Sequence, residues 1–224
     1  MKVTAQQITG QCDDHIHYFS DALGIHKDMV AAWEKFTQAA AKDGFKLAIV
    51  SGFRNFDRQL AIFNGKLDGS RAVTDINNQT VDLASLPVAE KLDAILLFSA
   101  LPGGSRHHWG CDIDVYDPEL ISKQELALEP WEYEQGGPLY TLNQWLDNNM
   151  QEYGFYRPYD SYRGGVAAEP WHLSYQPVAK HFEQQLSLNV INECLSTSKI
   201  ECKDDIIANL EQIYRKYIIN VGSI

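Results

Sequence analysis

The sequence predicts an α+β fold, in which a small, mostly antiparallel sheet is flanked by helices and followed by a helical C-terminal extension. Several segments repeat apolar residues at helical spacing, and glycine or proline separates them. Shorter apolar segments between them have the composition of strands. The pattern of residues 177–224 is helical. We therefore expect one domain over residues 1–176 and an extension over residues 177–224 that packs on it.

The first half of the chain predicts helix, strand, helix, loop and helix, in that order. The apolar residues at helical spacing in the first helix are Met29, Trp33, Phe36 and Ala40. Gly44 ends this helix, and Phe45–Val50 follows as a buried strand. NFDRQLAIFNG predicts a short helix ending at Gly65, and the polar residues 66–86 predict a surface loop of a length that is usually functional. Pro87 begins the next helix.

The second half adds two strands and three helices. CDIDVY, residues 111–116, alternates polar and apolar side chains and predicts a strand, as does WHLSY, residues 171–175. Between them, TLNQWLDNNMQEYGF predicts a helix that is capped by Thr141 and ended by Gly154. Beyond residue 177 we expect two helices, separated near STSKIECKDD, residues 196–205.

Charge and hydropathy argue against several classes of function. The net charge is −11, whereas non-specific nucleic-acid binding needs clustered lysine and arginine, and an acidic surface is repelled by anionic lipid. The sequence has no run of about 18 apolar residues, so we expect no membrane-spanning helix. Its N-terminus has no apolar secretion segment, so we expect a cytoplasmic protein, or a periplasmic one if an export signal was removed. No pattern specifies an oligomeric state.

The cysteines are widely spaced along the chain. Cys12, Cys111, Cys194 and Cys202 form no CxxC pair, which disfavours a four-thiolate zinc site. We expect free thiols, as is usual in the cytoplasm, and export would allow a disulfide between Cys194 and Cys202.

SRHHWGCDID, residues 105–114, places two histidines and two aspartates around one glycine. Asp112 and Asp114 share a face of the predicted strand, and Gly110 allows a sharp turn that brings His107 towards Asp114. One imidazole and one carboxylate supply two of the three protein ligands of a catalytic zinc site. Asp112 is the alternative carboxylate ligand, and its other role is a hydrogen bond that orients a ligand.

EPWHLSY, residues 169–175, supplies the groups that such a site still lacks. His172 is the natural third ligand. Glu169 is a carboxylate that can take a proton from water beside the metal and deliver it to a leaving amine. A regular strand would point these two side chains in opposite directions, but Pro170 predicts a turn that directs both inward.

SGFRNFDRQ, residues 51–59, places Arg54 where a strand ends and a helix begins. A guanidinium there can bind a substrate carboxylate or stabilise a developing oxyanion. A purely structural ion pair is an alternative of equal weight. Cys111 is interpreted as a core residue. Surface or capping positions are expected for the remaining histidines, which are His15, His17, His26, His108 and His181.

Together these motifs resemble the VanY-type D-alanyl-D-alanine carboxypeptidases and their L,D-carboxypeptidase relatives. The SxHxxGxxxD motif is reproduced by Ser105, His107, Gly110 and Asp114, and the ExWH motif by Glu169, Trp171 and His172. SGFRNFDRQ is similar to the SGYRS…Q segment of the family. The resemblance spans residues 32–175 and extends to lysostaphin-type peptidases and the hedgehog signalling domain. One departure is Asp112, which stands where the family usually has a small residue.

The resemblance implies a hedgehog/D-Ala-D-Ala peptidase-like fold with one zinc ion bound by His107, Asp114 and His172. It also implies that Glu169 is the catalytic base and that Arg54 stabilises the oxyanion. Four residues are expected to contact the substrate: Ser105, Gln59, Arg54 and Trp171. Of these, Ser105 and Gln59 would hold its terminal carboxylate. Further candidates for substrate contact are Tyr156, Arg157, Tyr159 and Arg163.

The reaction implied by the resemblance removes a C-terminal D-amino acid from a muropeptide, the stem peptide of peptidoglycan. In the cytoplasm a D,D-carboxypeptidase would destroy the pentapeptide precursor of the wall, whereas an L,D-carboxypeptidase would trim recycled tetrapeptides. We therefore favour L,D-carboxypeptidase activity, with a D,D-carboxypeptidase as the alternative. A non-catalytic zinc-fold binding module is a third hypothesis, which Glu169 disfavours because a binding module needs no base.

Overall fold

The computed structural model describes residues 1–222. Its strands are β1 (Ile16–Ser20), β2 (Leu23–His26), β3 (Ala48–Ser51), β4 (Asp112–Tyr116), β5 (Phe155–Tyr156) and β6 (His172–Tyr175). Its α-helices are α1 (Ala5–Ile8), α2 (Val30–Lys42), α3 (Phe56–Leu67), α4 (Val88–Leu96), α5 (Pro130–Tyr133), α6 (Tyr140–Asn149), α7 (Gln176–Glu183), α8 (Leu188–Ser196), α9 (Lys203–Ala208) and α10 (Leu210–Ile213). Single 3₁₀ turns and one π-helical turn, Tyr214–Ile218, complete the secondary structure.

The central sheet has four strands in the order β3-β4-β6-β5, and every pairing within it is antiparallel. This confirms the predicted small antiparallel sheet flanked by helices. Its register sets Asp114 directly opposite His172, and Ser51 on the other side of Asp114. Groups from three separate sequence segments therefore meet on one face of the sheet.

The main hydrophobic core lies against the other face of the sheet. Strand β4 is buried on both sides: Ile113 and Val115 join the core, while Asp112 and Asp114 are held on the polar side. The ring of Phe36 stacks on Trp145 of α6 and on Phe155 of β5, with centroids 5.2 and 5.0 Å apart. Burying one such ring stabilises the fold by about 1.5–3 kcal/mol, so these contacts fix α2 and α6 on the sheet.

A second hydrophobic cluster joins the C-terminal helices to the middle of the chain. Phe63 of α3 and Ile95 of α4 share it with Ile191 and Leu195 of α8 and Ile206 of α9. Ile218 of the π-helical turn packs on Gly104, where a β-carbon would lie 2.7 Å from its Cδ1 atom. The helices after α7 therefore buttress the segment that precedes the SRHHWGCDID motif. The division of the chain at residue 176 stays a prediction.

Three predicted boundaries and the number of C-terminal helices were wrong. Helix α3 continues past Gly65 to Leu67, and the side chains of Ser70 and Arg71 pack closely against Gly65. Thr141 does not cap α6, which begins at Tyr140 without a side-chain cap. The strand predicted at Phe45–Val50 is β3, Ala48–Ser51, which begins later than predicted and is only partly buried. The C-terminal region contains four helices, although the predicted break is present between Ser196 and Lys203.

Two further segments differ from the prediction. Residues 66–86 are not simply a surface loop, since Val73 and Leu83 are buried in the second cluster and Thr74 bridges Thr80. The hairpin formed by β1 and β2 was missed, because its first strand has one buried residue followed by four exposed ones and so lacks alternation. All four cysteines are free thiols. Among the described residues no helix combines the length and the hydropathy that crossing a bilayer requires.

Candidate active site

The SRHHWGCDID motif forms a 3₁₀ turn, Arg106–Trp109, that leads through Gly110 into β4. Gly110 has φ of +70°, and a β-carbon there would lie 2.3 Å from Ile16 and 3.0 Å from the backbone nitrogen of His26. Only glycine fits this reversal without strain. The turn brings Nε2 of His107 to 3.3 Å from Oδ2 of Asp114.

His172 completes a cluster of three potential metal ligands. Its Nδ1 lies 3.2 Å from Oδ1 of Asp114, its partner across the strands. One ligand atom from each of His107, Asp114 and His172 lies within 4.8 Å of the others, and all three residues are buried. Oδ1 of Asp114 is buried and accepts no hydrogen bond from any residue in 1–222, which fits a carboxylate that can bind a cation. Two imidazole nitrogens and one carboxylate suit a catalytic zinc site with an open position.

Hydrogen bonds behind the cluster fix which nitrogen of each histidine faces it. Nδ1 of His107 lies 3.0 Å from the carbonyl oxygen of Gly52, so it carries the proton and leaves Nε2 as the ligand atom. Nε2 of His172 lies 3.0 Å from Oδ1 of Asp112, which leaves Nδ1 to face Asp114. Of the two aspartates, Asp112 therefore takes the orienting position and Asp114 the ligand position.

Asp112 is fully buried and its charge is balanced by Arg106. The guanidinium donates from Nε to Oδ1 at 2.6 Å, and the hydroxyl of Ser174 donates to Oδ2 at 3.0 Å. Burial favours the neutral acid, but the charge of Arg106 and the hydrogen bond from His172 hold the pKa of Asp112 well below its usual range. Asp112 is thus a permanent carboxylate beside His172.

Glu169 stands at the edge of the same cluster. The backbone N–H of His172 donates to the carbonyl oxygen of Glu169 at 3.1 Å, which closes a turn across Pro170. This turn brings Oε2 of Glu169 to 3.4 Å from Nδ1 of His172. The side chain is almost buried yet borders the central cavity, where a general base must stand to reach a water molecule.

Arg54 faces the cluster from the end of β3. Its Nη1 donates to Oε1 of Gln59 at 2.8 Å and its Nη2 donates to Oγ of Ser51 at 3.1 Å, while its Nε has no partner. Within residues 1–222 no carboxylate forms an ion pair with Arg54, so the alternative role of a structural ion pair is not realised. A partly buried guanidinium at the cavity wall that forms no ion pair suits an oxyanion or a carboxylate.

The four residues predicted to contact the substrate lie in different positions. Arg54 and Ser105 line the cavity, and the hydroxyl of buried Ser105 has no hydrogen-bond partner. Trp171 also borders the cavity, although most of its ring packs in the core near Tyr133. Gln59 is fully buried, and its amide donates to the carbonyl oxygen of Ala100 at 2.7 Å while accepting from Arg54. This arrangement favours a positioning role for Gln59 over the predicted direct contact.

The cavity has a volume of about 300 Å³, enough for the end of a short peptide. The long loop that begins at Lys66, predicted to be functional, supplies Lys66, Thr74, Ile76 and Asn78 to its wall. Sequence reasoning missed Glu129, for which the sequence gives no indication. Of the further substrate candidates Tyr159 lines the cavity, with its ring centroid 5.0 Å from that of His172.

The remaining candidates are engaged within the protein. Tyr156 donates to Glu183 at 2.9 Å, Arg157 pairs with Asp147, and Arg163 pairs with Asp160. The other histidines were predicted at surface or capping positions. His17 is exposed, and His26 caps a 3₁₀ turn by accepting from the N–H of Asp28, as predicted. His15 and His108, and the ring of His26 as well, are instead buried. The structure keeps Cys111 in the core, as predicted.

Comparison with known proteins places this geometry in a family. Residues 22–178 match the family VanY, D-alanyl-D-alanine carboxypeptidase. An uncharacterized protein of Haemophilus influenzae is 38% identical over 122 residues, which are 53% of this chain and 93% of that protein. A variant of the vancomycin-resistance D,D-pentapeptidase VanY in complex with Zn(II) is similar with a TM-score of 0.51 and 23% identity, over 79% of this chain and 88% of that one. The LD-carboxypeptidase LdcB is similar with a TM-score of 0.52 and 24% sequence identity, over 79% of this chain and 72% of that one.

The two structural likenesses show a shared fold. The family match is more specific, since it covers more than half of the chain and contains the cluster of His107, Asp114 and His172 together with Glu169 and Arg54. The chain belongs to the VanY family of D-alanyl-D-alanine carboxypeptidases.

Proposed function

We propose that this protein is a zinc-dependent carboxypeptidase that removes a terminal D-alanine from stem peptides of peptidoglycan. One observation carries the proposal: two imidazoles and a carboxylate converge in a buried cluster at a peptide-sized cavity, with Glu169 beside them. Membership of the VanY family and the zinc ion of a similar structure support it.

His107, Asp114 and His172 would hold the ion. Their nitrogen and oxygen donors suit zinc, and the unpartnered oxygen of Asp114 supports a bound cation. A zinc ion in this position would supply Lewis acidity, which lowers the pKa of a bound water and polarises a carbonyl group.

The chain's own residues supply proton transfer and charge stabilisation. Glu169 borders the cavity and would take a proton from the attacking water, then deliver it to the departing amine. The free Nε–H of Arg54 would donate to the carbonyl oxygen as negative charge develops on it. The unpartnered hydroxyl of Ser105 would donate to the terminal carboxylate of the peptide.

We further propose that the protein acts in the cytoplasm on tetrapeptides, as an L,D-carboxypeptidase. In that compartment a D,D-carboxypeptidase would consume the pentapeptide precursor of the wall, whereas trimming a recycled tetrapeptide leaves wall synthesis intact. Similarity to LdcB is compatible with this proposal. The alternative is a D,D-carboxypeptidase acting on pentapeptides, which the family match and the similarity to VanY favour.

The purified protein, loaded with zinc, is incubated separately with tetrapeptide and pentapeptide muropeptides, and the products are identified by mass spectrometry. Loss of one alanine from the tetrapeptide, with the pentapeptide untouched, supports the L,D assignment. Loss of one alanine from the pentapeptide alone transfers the assignment to the D,D class. A protein that binds zinc and muropeptides but cleaves neither is a binding module, and the proposed function then fails.

A further inference from the structure

A second cluster of metal-ligating side chains lies outside the cavity, in the segment that precedes β1. Cys12, Asp14 and His15 each offer one ligand atom, and these three atoms lie within 4.8 Å of one another. Sγ of Cys12 is 3.4 Å from Oδ1 of Asp14, and Nδ1 of His15 is 3.5 Å from the same oxygen. The segment lies before residue 22, where the family match begins.

His15 is an independent sign that this cluster is a binding site. Its side chain is only 5% exposed, and its Nε2 lies 3.3 Å from the carbonyl oxygen of His108. That contact places the ring proton on Nε2 and leaves a lone pair on Nδ1, which is buried without a hydrogen-bond partner and faces Asp14. Metal-ligating histidines are held in this way, with the second ring nitrogen donating to a backbone carbonyl.

The distances from Asp14 to the other two donor atoms also suit a tetrahedral ion. With zinc–ligand distances of about 2.0–2.3 Å, the nitrogen, oxygen and sulfur donors of a tetrahedral site lie about 3.3–3.6 Å apart. The two distances from Asp14 are 3.4 and 3.5 Å. Asp14 is exposed and Cys12 is partly exposed, so an ion can enter from solvent and keep an open fourth position.

We propose that Cys12, Asp14 and His15 form a second metal site, which binds one zinc ion or a similar thiophilic divalent cation. Binding releases the thiol proton of Cys12 to solvent and forms a metal–sulfur bond. Gln7 donates to Oδ1 of Asp14 at 3.0 Å and would keep the carboxylate oriented. Because His15 contacts the carbonyl of His108, the ion would secure the N-terminal segment to the turn that carries His107.

Cobalt(II) distinguishes this site from the first, because only the second contains sulfur. The metal-free protein is titrated with Co²⁺, and near-ultraviolet absorption reports thiolate-to-cobalt charge transfer. We expect two equivalents of Co²⁺ and a charge-transfer band. Cys12→Ser should lose the charge-transfer band and bind one equivalent of Co²⁺ fewer. The matched variant Cys202→Ser, at another partly exposed cysteine, should keep the band and bind two equivalents.

Two further variants make the result independent of folding and of the proposed function. His107→Ala should lose one equivalent but keep the band, which separates failure at the first site from failure at the second. Asp14→Asn changes an exposed side chain and should weaken Co²⁺ binding at the second site at least tenfold. Binding of a single equivalent without a band by the wild type overturns the proposal, and so does a band that persists in Cys12→Ser.

Discussion

His172 is the residue on which the site converges. Its ring contacts three carboxylates: Asp112 at Nε2, and Asp114 and Glu169 at Nδ1, at distances between 3.0 and 3.4 Å. Burial disfavours its protonation, but these three carboxylates outweigh burial and raise its pKa well above the ordinary range. A cation beside Nδ1 would replace that proton, so the surrounding negative charge favours a bound metal ion over an empty site.

Replacing the proposed base tests the role of Glu169. Glu169→Gln keeps the shape of the side chain but cannot take a proton, so kcat/KM on the cleaved muropeptide should fall by about 10²–10⁴-fold. Zinc content, measured by elemental analysis, should stay at the wild-type value because the three ligands are unchanged. Glu134→Gln, on the exposed surface, is the control and should retain full activity. Undiminished activity in Glu169→Gln would remove Glu169 from the mechanism.

Asp112 should matter for metal binding although the proposed ligands are His107, Asp114 and His172. Asp112→Asn leaves the buried charge of Arg106 without its main partner, so stability should fall by about 3–5 kcal/mol. Zinc affinity, measured by competition with a chelator, should weaken about 10–100-fold because His172 loses its orienting carboxylate. Asp147→Asn, at a partly exposed ion pair, is the control and should change neither the stability nor the zinc affinity by much. Unaltered zinc affinity in Asp112→Asn would contradict the orienting role.

The buried imidazole of His26 should make the protein less stable in acid. Burial lowers its pKa in the folded protein to about 4, and repulsion from His15 adds to this effect. An unfolded histidine titrates near about 6.5, so as the pH falls from there towards 4 the unfolded state takes up the proton first and stability is lost.

His26→Asn keeps an acceptor for the N–H of Asp28 but does not titrate. Urea unfolding at pH 7 and pH 5 should therefore show a smaller loss of stability for this variant than for the wild type. His17→Asn, on an exposed position of β1, should behave as the wild type does. An equal loss in all three proteins would refute this account.

At the scale of elements, the predictions succeeded where one local pattern determines the structure. Helix α2 and strand β4 were predicted from apolar spacing. The cluster of His107, Asp114 and His172 was predicted from the motifs and the family resemblance, and the pairing of β4 with β6 sets Asp114 opposite His172. The wall of the cavity could be predicted only in part. The length of the segment that begins at Lys66 indicated a role for it, whereas Glu129 reaches the wall only through the packing of segments far apart in sequence, for which no local periodicity exists.

The turn at Gly110 offers a test at this scale. Gly110→Ala adds a methyl group against Ile16 and the backbone of His26 at a residue with φ of +70°. Gly136→Ala is the matched control, since Gly136 also has positive φ but open space around it. Urea unfolding should show Gly110→Ala less stable than Gly136→Ala by about 1–3 kcal/mol, the usual cost of overpacking. Equal stabilities would mean that the turn tolerates a side chain.

At the scale of the whole molecule, the C-terminal helices pack against the segment that leads into the active site. Ile218 is buried in the second cluster and lies against Gly104, one residue before Ser105. Ile218→Ala should therefore lower the free energy of unfolding by about 2–5 kcal/mol and reduce activity through displacement of Ser105. Ile219→Ala, at an exposed neighbour, should stay within about 0.5 kcal/mol of the wild type. Normal activity in Ile218→Ala would show that the two regions are independent.

Three contacts tie the SGFR segment to the histidine turn. The N–H of Arg54 donates to the carbonyl of His107 at 3.1 Å, and the rings of His107 and His108 contact the carbonyls of Gly52 and Arg54 at 3.0 and 2.6 Å. The backbone that carries Arg54 is therefore held at a fixed position relative to the ring of His107. Residues 66–86 and Glu129 take no part in these three contacts. We therefore expect substitutions in this part of the cavity wall to change which peptides are accepted without changing the distance between Arg54 and His107.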